Sequence, residues 1–130
     1  MSAADDVLRA EGALREVLEE LTDPIRGECL FCYVYRMLEF GCPPDRLTWA
    51  RRWRDLRAPR ARGLERRLQA RGGFCDCEIF LNGWRPSDLE LDENGDDVRP
   101  AAMPPCRGVR RGSTQPCSLW VPKPPGPFDD

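Results

Sequence analysis

Seven cysteines and no histidine in 130 residues constrain this chain more than any other feature of it. Without histidine there is no Ser–His–Asp triad, no Cys–His nucleophile pair and no imidazole ligand for a metal. Any metal site must be built from thiolates alone, or from thiolates completed by Asp or Glu. Seven is odd, so the thiols cannot all pair as disulfides within one chain. A chain of this length fits one domain and buries roughly two thirds of its surface without covalent staples. The cysteines are therefore expected to serve a metal or a reaction, in a reducing, cytoplasmic setting. The longest apolar run is far below the roughly 20 residues that span a bilayer, so no membrane association is expected. The acidic start, Met1-Ser2-Ala3-Ala4-Asp5-Asp6, lacks the apolar region of a secretory signal.

Hydrophobic spacing predicts four helices in the first half. Val7, Ala10, Leu14, Val17, Leu18 and Leu21 mark an amphipathic packing helix over 4–21, stopped by Pro24. Leu30, Val34, Met37 and Leu38 mark a second over 28–40, ended by Gly41 and the Cys42-Pro43-Pro44 turn. A third runs from Pro44 or Asp45 to about Arg57, with Trp49, Trp53 and Leu56 as its apolar stripe. A fourth covers 60–71, with Ala61, Leu64 and Leu68 facing inward. After Gly72-Gly73, the stretch Phe74–Leu81 alternates as a β segment does, with Cys75, Cys77, Ile79 and Leu81 on one side. From Arg85 onward proline and glycine rise, which predicts a loop-rich extension and a disordered last ten residues. Leu119, Trp120 and Val121 are candidates to pack back onto the helices. The expected architecture is a small α+β domain: residues 1–85 as a compact unit of three to four helices on a short β segment, and 86–130 as an extension partly packed on it.

The leading chemical constellation joins Cys29-Leu30-Phe31-Cys32 to Cys75-Asp76-Cys77. A CxxC pair at a helix start puts two sulfurs on one side, and a CxC pair on a strand does the same. Together Cys29, Cys32, Cys75 and Cys77 form the candidate four-thiolate set for zinc. A site closed by four thiolates is structural, because catalytic zinc keeps an open position. Cys106 and Cys117 either add ligands to this site, close a loop or stand idle, and Cys42 reads as spare. Two other readings stand beside this one. The cysteines serve as small buried hydrophobes, or Cys29 and Cys32 form a redox dithiol at a helix N-terminus. The acidic run Asp88–Asp97 reads as a turn, not a calcium loop, because Ala101 stands where a bidentate Glu is needed. Asp76 and Glu78 read as a carboxylate pair or as partners for helix arginines. The phosphate-loop, dinucleotide and nucleophile-elbow motifs are absent.

Arginine supplies 19 of the 20 basic residues, yet the net charge is −2. A globally basic nucleic-acid binder is thereby excluded. Ten arginines and only two acids lie between Arg46 and Arg71. Arg51, Arg52, Arg54, Arg66 and Arg67 are the candidates for an anion-binding face, for phosphate or nucleic acid. The alternative is that this basic stretch pairs with the acidic segments 5–28 and 88–97 inside one fold.

The run Gly72-Gly73-Phe74-Cys75-Asp76-Cys77-Glu78, followed by Asn82 and preceded by a Trp-bearing helix and an upstream cysteine, resembles the bacterial family called domain of unknown function 2695. The resemblance covers roughly Cys29 to Trp84, with the upstream cysteine falling on Cys29. Cys32 and the extension bearing Cys106 and Cys117 depart from the family pattern. The resemblance implies a small bacterial domain and supplies no activity. Taken together, these readings favour a non-catalytic, zinc-stabilised accessory or interaction module with a protein partner. A thiol-redox protein and an Arg-rich nucleic-acid or phosphate binder are the alternatives.

Overall fold

The segment Leu30-Phe31-Cys32-Tyr33-Val34-Tyr35-Arg36-Met37 is apolar on most sides, so a helix made from it has to be surrounded. In the computed structural model, which describes residues 3–87, 90–91, 97–98 and 104–124, this helix is the centre of the core. It is the second of five: α1 (Ala3–Thr22), α2 (Leu30–Met37, continued by a 3-10 turn, Leu38–Phe40), α3 (Thr48–Arg57), α4 (Leu64–Gln69) and the single turn α5 (Asp76–Glu78). A wide π turn, Ile79–Gly83, follows α5 and leads into β1 (Trp84–Pro86). The remaining strands are β2 (Glu90–Leu91), β3 (Asp97–Val98) and β4 (Trp120–Pro122). The class is the α+β one expected, with two two-stranded antiparallel sheets, β1 with β4 and β2 with β3.

Packing follows from which side chains the core can take. Leu30, Phe31, Tyr33, Val34 and Met37 are buried, and α3 lies across them with Ala50 and Trp53. Trp53 is 1% exposed and donates its indole N–H to the carbonyl of Glu28 at 3.1 Å, so its one polar group is satisfied. The β1–β4 pairing, with Arg85 opposite Val121, brings Leu119 and Trp120 into the same core. Trp120 stacks against Phe80 with ring centroids 4.8 Å apart, and Phe31 meets Trp84 at 4.6 Å. Val121 and Pro122 therefore belong to a strand, not to a disordered end, while 125–130 lie outside the described residues. Most of the acidic turn read over 88–97 also lies outside them; Glu90–Leu91 and Asp97–Val98 are its paired edges.

Two expectations are corrected. The first concerns α1, which forms with the expected bounds but is not a packing helix within this chain. Val7, Leu8, Leu14, Val17, Leu18 and Leu21 are all exposed. The helix is tied down at its C-terminal end, where Tyr33 Oη donates to the Thr22 carbonyl at 2.6 Å and Arg52 pairs with Asp23 at 2.7 Å.

The second concerns the segment bearing Cys75 and Cys77, which is helical rather than β. On a strand Ile79 and Phe80 would face opposite sides, yet both are buried. The side chain of Asp76 explains the change. It is 0% exposed and accepts hydrogen bonds from the backbone N–H groups of Trp49 (3.0 Å) and Ala50 (3.1 Å). These are orphan donors at the start of α3, whose own N-cap residue, Leu47, has no side-chain acceptor. Asp76 thus caps a helix from a distant part of the chain. Reaching that cap turns the backbone around Asp76 into a helical turn.

This generates a stability prediction. Asp76→Ala should lower unfolding free energy by about 1–3 kcal/mol, because two buried donors lose their acceptor. Asp76→Asn, which keeps one acceptor oxygen, should lose less. Urea unfolding checks both; equal stability of wild type and Asp76→Ala would contradict the capping role.

Candidate metal centres

The first centre is built at the start of α2. Cys29 is the N-cap of that helix, in extended backbone, and its Sγ accepts from the Cys32 N–H at 3.3 Å. That geometry fixes the CxxC sulfurs on one side of the first turn. The extension supplies the rest. Cys106 Sγ accepts from the backbone N–H of Cys29 (3.2 Å) and of Gly108 (3.3 Å). Cys117 Sγ lies 3.7 Å from Cys32 Sγ. Trp120 donates its indole N–H to Cys32 Sγ at 3.3 Å. The four sulfurs of Cys29, Cys32, Cys106 and Cys117 lie within 4.8 Å of one another, and all seven cysteines are unbridged.

Those distances can be tested against zinc. With zinc–sulfur bonds of about 2.3 Å, a tetrahedron needs sulfurs about 3.8 Å apart. The Cys32–Cys117 separation of 3.7 Å fits this, and it is far from the ~2.05 Å of a disulfide. The protonation chemistry also fits. The Cys29 thiol is lowered to about 5, first by the hydrogen bond from the Cys32 thiol, then, against the cost of burial, by backbone N–H groups of Cys32 and Cys117. Cys32 is pushed far up by the same hydrogen bond and by burial. The opposite shifts mean that the two sulfurs do not lose their protons independently.

The second centre joins the end of the α2 segment to α5. Cys42 follows Gly41, which takes a positive φ (115°) to leave the 3-10 turn. Its Sγ accepts from the Cys77 N–H at 3.2 Å, and the sulfurs of Cys42, Cys75 and Cys77 also lie within 4.8 Å of one another. Burial raises the Cys42 and Cys75 thiols. Two carboxylates adjoin this trio in sequence, Asp76 and Glu78, and the Glu78 backbone N–H donates to the Cys75 carbonyl at 3.1 Å. Asp76 is not available, since both of its oxygens serve α3.

The structure therefore sorts the cysteines differently from the expected set. Cys29 and Cys32 join Cys106 and Cys117, while Cys75 and Cys77 join Cys42, which was read as spare. The physical reason is distance along a helix. Cys29 and Cys32 start α2 and Cys42 follows its end; the eleven residues 30–40 between span on the order of 15 Å at ~1.5 Å per residue. Asp76, docked on α3, commits its flanking cysteines to the far end. The Cys42-Pro43-Pro44 turn was the available signal, since it places a thiol at a fixed point just past the helix.

The arginines are also redistributed. Arg51 pairs with Glu65 (2.6 Å), Arg52 with Asp23 (2.7 Å), and Arg54 with Asp55 (3.1 Å) and Glu65 (3.3 Å). Three of the five anion-binding candidates thus face carboxylates of the same chain; Arg66 and Arg67 are exposed on α4.

A small α+β domain with two all-cysteine clusters is the class that this geometry defines. Residues 30–82 match the family described as "Protein of unknown function (DUF2695)", which bears out the resemblance carried by the Gly72–Glu78 run. No curated protein and no solved structure matches the chain. The run has a structural meaning. A Cβ on Gly72 (φ 85°) would come within 2.8 Å of the Asn82 Cβ, and Asn82 donates to the Gly72 carbonyl at 3.0 Å. Glycine and asparagine thus close the turn that presents Cys75 and Cys77. The matched residues contain the whole second centre but only Cys32 of the first. Among the described residues, no helix is long and apolar enough to cross a membrane.

The partition makes a prediction. Cobalt(II) titrated into reduced, metal-free protein should give two independent thiolate charge-transfer signals. Cys117→Ser should remove one of them and Cys42→Ser the other. Parallel loss in Cys29→Ser and Cys75→Ser, with Cys42→Ser silent, would instead restore the single mixed site.

Proposed function

We propose that this protein is a non-catalytic, zinc-stabilised accessory or interaction module, with Cys29, Cys32, Cys106 and Cys117 holding one structural ion. The observation that carries this reading is the convergence of these four sulfurs within 4.8 Å, two from a helix start and two from a distant extension. Four thiolates fill a tetrahedral ion completely, which leaves no open position for substrate and gives the site a structural task. That task is to pin the extension, taken as residues 86–130, onto the compact unit 1–85. Reduced thiols of this kind suit the cytoplasm of a bacterial cell. The exposed apolar side of α1 supports the interaction half of the proposal, because a helix of this pattern is ordinarily covered.

The redox alternative is weaker on one point of geometry. A dithiol that exchanges with other proteins must present its more acidic thiol to them, and here that thiol, Cys29, is 0% exposed while the partly exposed Cys32 is the one pushed up. The Cys42, Cys75 and Cys77 trio is read here as a second metal position, with its fourth place left to Glu78 or to a ligand from outside. Three thiolates favour a soft or borderline cation there.

The test is elemental analysis and native mass spectrometry of protein purified without oxygen. At least one zinc per chain is expected, retained in Cys42→Ser and lost in Cys117→Ser. The loss should lower stability by about 3 kcal/mol where free zinc stands near 100-fold above its dissociation constant. Limited proteolysis of Cys117→Ser should then cut within residues 104–124, which the wild type protects. Protein that carries far less than one zinc, with Cys117→Ser as stable as wild type, would overturn the proposal.

A further inference from the structure

One open cleft of about 970 Å³ lies between the turn before α2, the C-terminal end of α3 with the turn that follows it, and the loop between Cys106 and Cys117. Its volume is that of a ligand site rather than a packing defect. Five arginines line it: Arg26, Arg57 and Arg60 on the helical side, Arg110 and Arg111 on the loop. Glu28 is the one acidic residue in the lining, and its carboxylate is already held by Arg36 through Nε (3.1 Å) and Nη2 (2.8 Å). Arg57 donates to the Pro24 carbonyl at 2.8 Å, which fixes its direction without neutralising it. Arg26, Arg60, Arg110 and Arg111 have no carboxylate partner among the described residues. The contrast with Arg51, Arg52 and Arg54 is direct: those are paired with carboxylates, and the unpaired arginines line one shared cleft.

We infer that this cleft is a binding site for a compact ligand carrying two or more phosphate groups, recognised by Arg26, Arg57 and Arg60 from one wall and by Arg110 and Arg111 from the other. Guanidinium groups repel one another when brought together, so five around one volume select an anion of several charges. Their planar forks match phosphate oxygens in pairs. The volume is too large for a single phosphate and suits a molecule of nucleoside triphosphate size. Leu56, Ala61 and Val109 give the lining an apolar part against which a non-phosphate moiety can rest. A long nucleic acid is disfavoured. The chain is −2 overall, and α1 exposes Glu11, Glu16, Glu19 and Glu20, which repel an extended polyanion but not a small one held locally.

The loop wall is held by features other than an ion as well. The Val109 N–H donates to the Gly27 carbonyl at 2.9 Å, next to Arg26. The inference therefore does not require the first cysteine centre to be occupied, and the two can fail separately.

The test is isothermal titration calorimetry at low ionic strength on the full chain as purified, with zinc content measured on every sample. The probes are ATP, inorganic triphosphate, adenosine, poly-glutamate and a single-stranded oligonucleotide. ATP and triphosphate should bind and adenosine should not; tighter ATP binding than triphosphate identifies a nucleotide, and equal binding identifies the phosphate chain alone. The double variant Arg110→Glu/Arg111→Glu should weaken binding roughly tenfold or more, as the loss of two charge-assisted contacts requires. Arg60→Glu, on the opposite wall, should weaken it too. Arg66→Glu/Arg67→Glu carries the same charge change outside the cleft and should alter affinity less than about twofold, because exposed charges act weakly. Equal weakening by both double variants would reduce the effect to diffuse charge and overturn the site. So would absence of phosphate binding, or tighter binding of poly-glutamate or oligonucleotide than of triphosphate. Unchanged zinc content in the variants separates this outcome from collapse of the loop.

Discussion

The turn Gly27-Glu28-Cys29 is the joint on which the rest of the molecule depends, and Glu28 is its fixed point. Its buried carboxylate is gripped by the Arg36 guanidinium one face along α2 and accepts the Ile25 N–H at 3.1 Å. Removing one partner of such a pair leaves an uncompensated charge, so the geometry is held strongly even where the pair itself adds little net stability. Everything nearby reads its position from this turn. The Glu28 carbonyl takes the Trp53 indole, which seats α3. The Gly27 carbonyl takes Val109, which seats the extension. The Cys29 backbone N–H takes Cys106, and its sulfur caps α2. Helix packing, the first cysteine cluster and one wall of the arginine cleft thus share three consecutive residues.

Asp76 plays the corresponding part at the other end of α2. A carboxylate that caps a helix of its own is readable from sequence, because the acceptor precedes the run that it caps. Asp76 caps α3 from 27 residues downstream of Trp49, so no local pattern announces it. The alternation of Cys75, Cys77, Ile79 and Leu81 looked like a strand because the window is short and period two needs few residues to be matched. The tertiary hydrogen bonds overrode it. The four longer helices were legible from their apolar spacing and their stops from proline and glycine, but α3 starts at Thr48 rather than at Pro44 or Asp45, and α4 takes only Leu64–Gln69 of the expected 60–71. The CxxC pair was legible as a helix-start pair of sulfurs. Cys106 and Cys117 stood only as one option among its partners, because they reach it through the β1–β4 pairing and the Val109–Gly27 contact, which sequence spacing does not encode.

The charges follow the same logic of local signal and distant partner. A count over 46–71 shows an excess of arginine, but the acids that neutralise it include Asp23, which arrives only when α1 and α3 meet at Thr22 and Arg52. The arginines without a carboxylate partner among the described residues consequently include Arg60, Arg110 and Arg111, which line one cleft, rather than Arg51, Arg52 and Arg54 of the densest stretch. Arginine density along a chain and arginine availability in space are different quantities, and only the second bears on binding.

The absence of histidine makes charge the governing problem of both cysteine centres. A divalent ion among four thiolates leaves a net charge of about 2−, and a partly buried site must offset that with oriented dipoles. The first centre supplies them: backbone N–H groups of Cys29, Cys32 and Gly108 and the indole N–H of Trp120 all point at its sulfurs. Trp120 also packs on Phe80 and Tyr35, so the donor is anchored in the core. The second centre has the Cys77 N–H on Cys42, and its three thiolates would leave a divalent ion only about 1−. Fewer donors suffice where there is less charge, and its partly exposed cysteines leave solvent to do the remainder. The two clusters therefore differ in kind: the first gathers four sulfurs, two of them from buried cysteines, under several N–H donors, and the second gathers three, all from partly exposed cysteines.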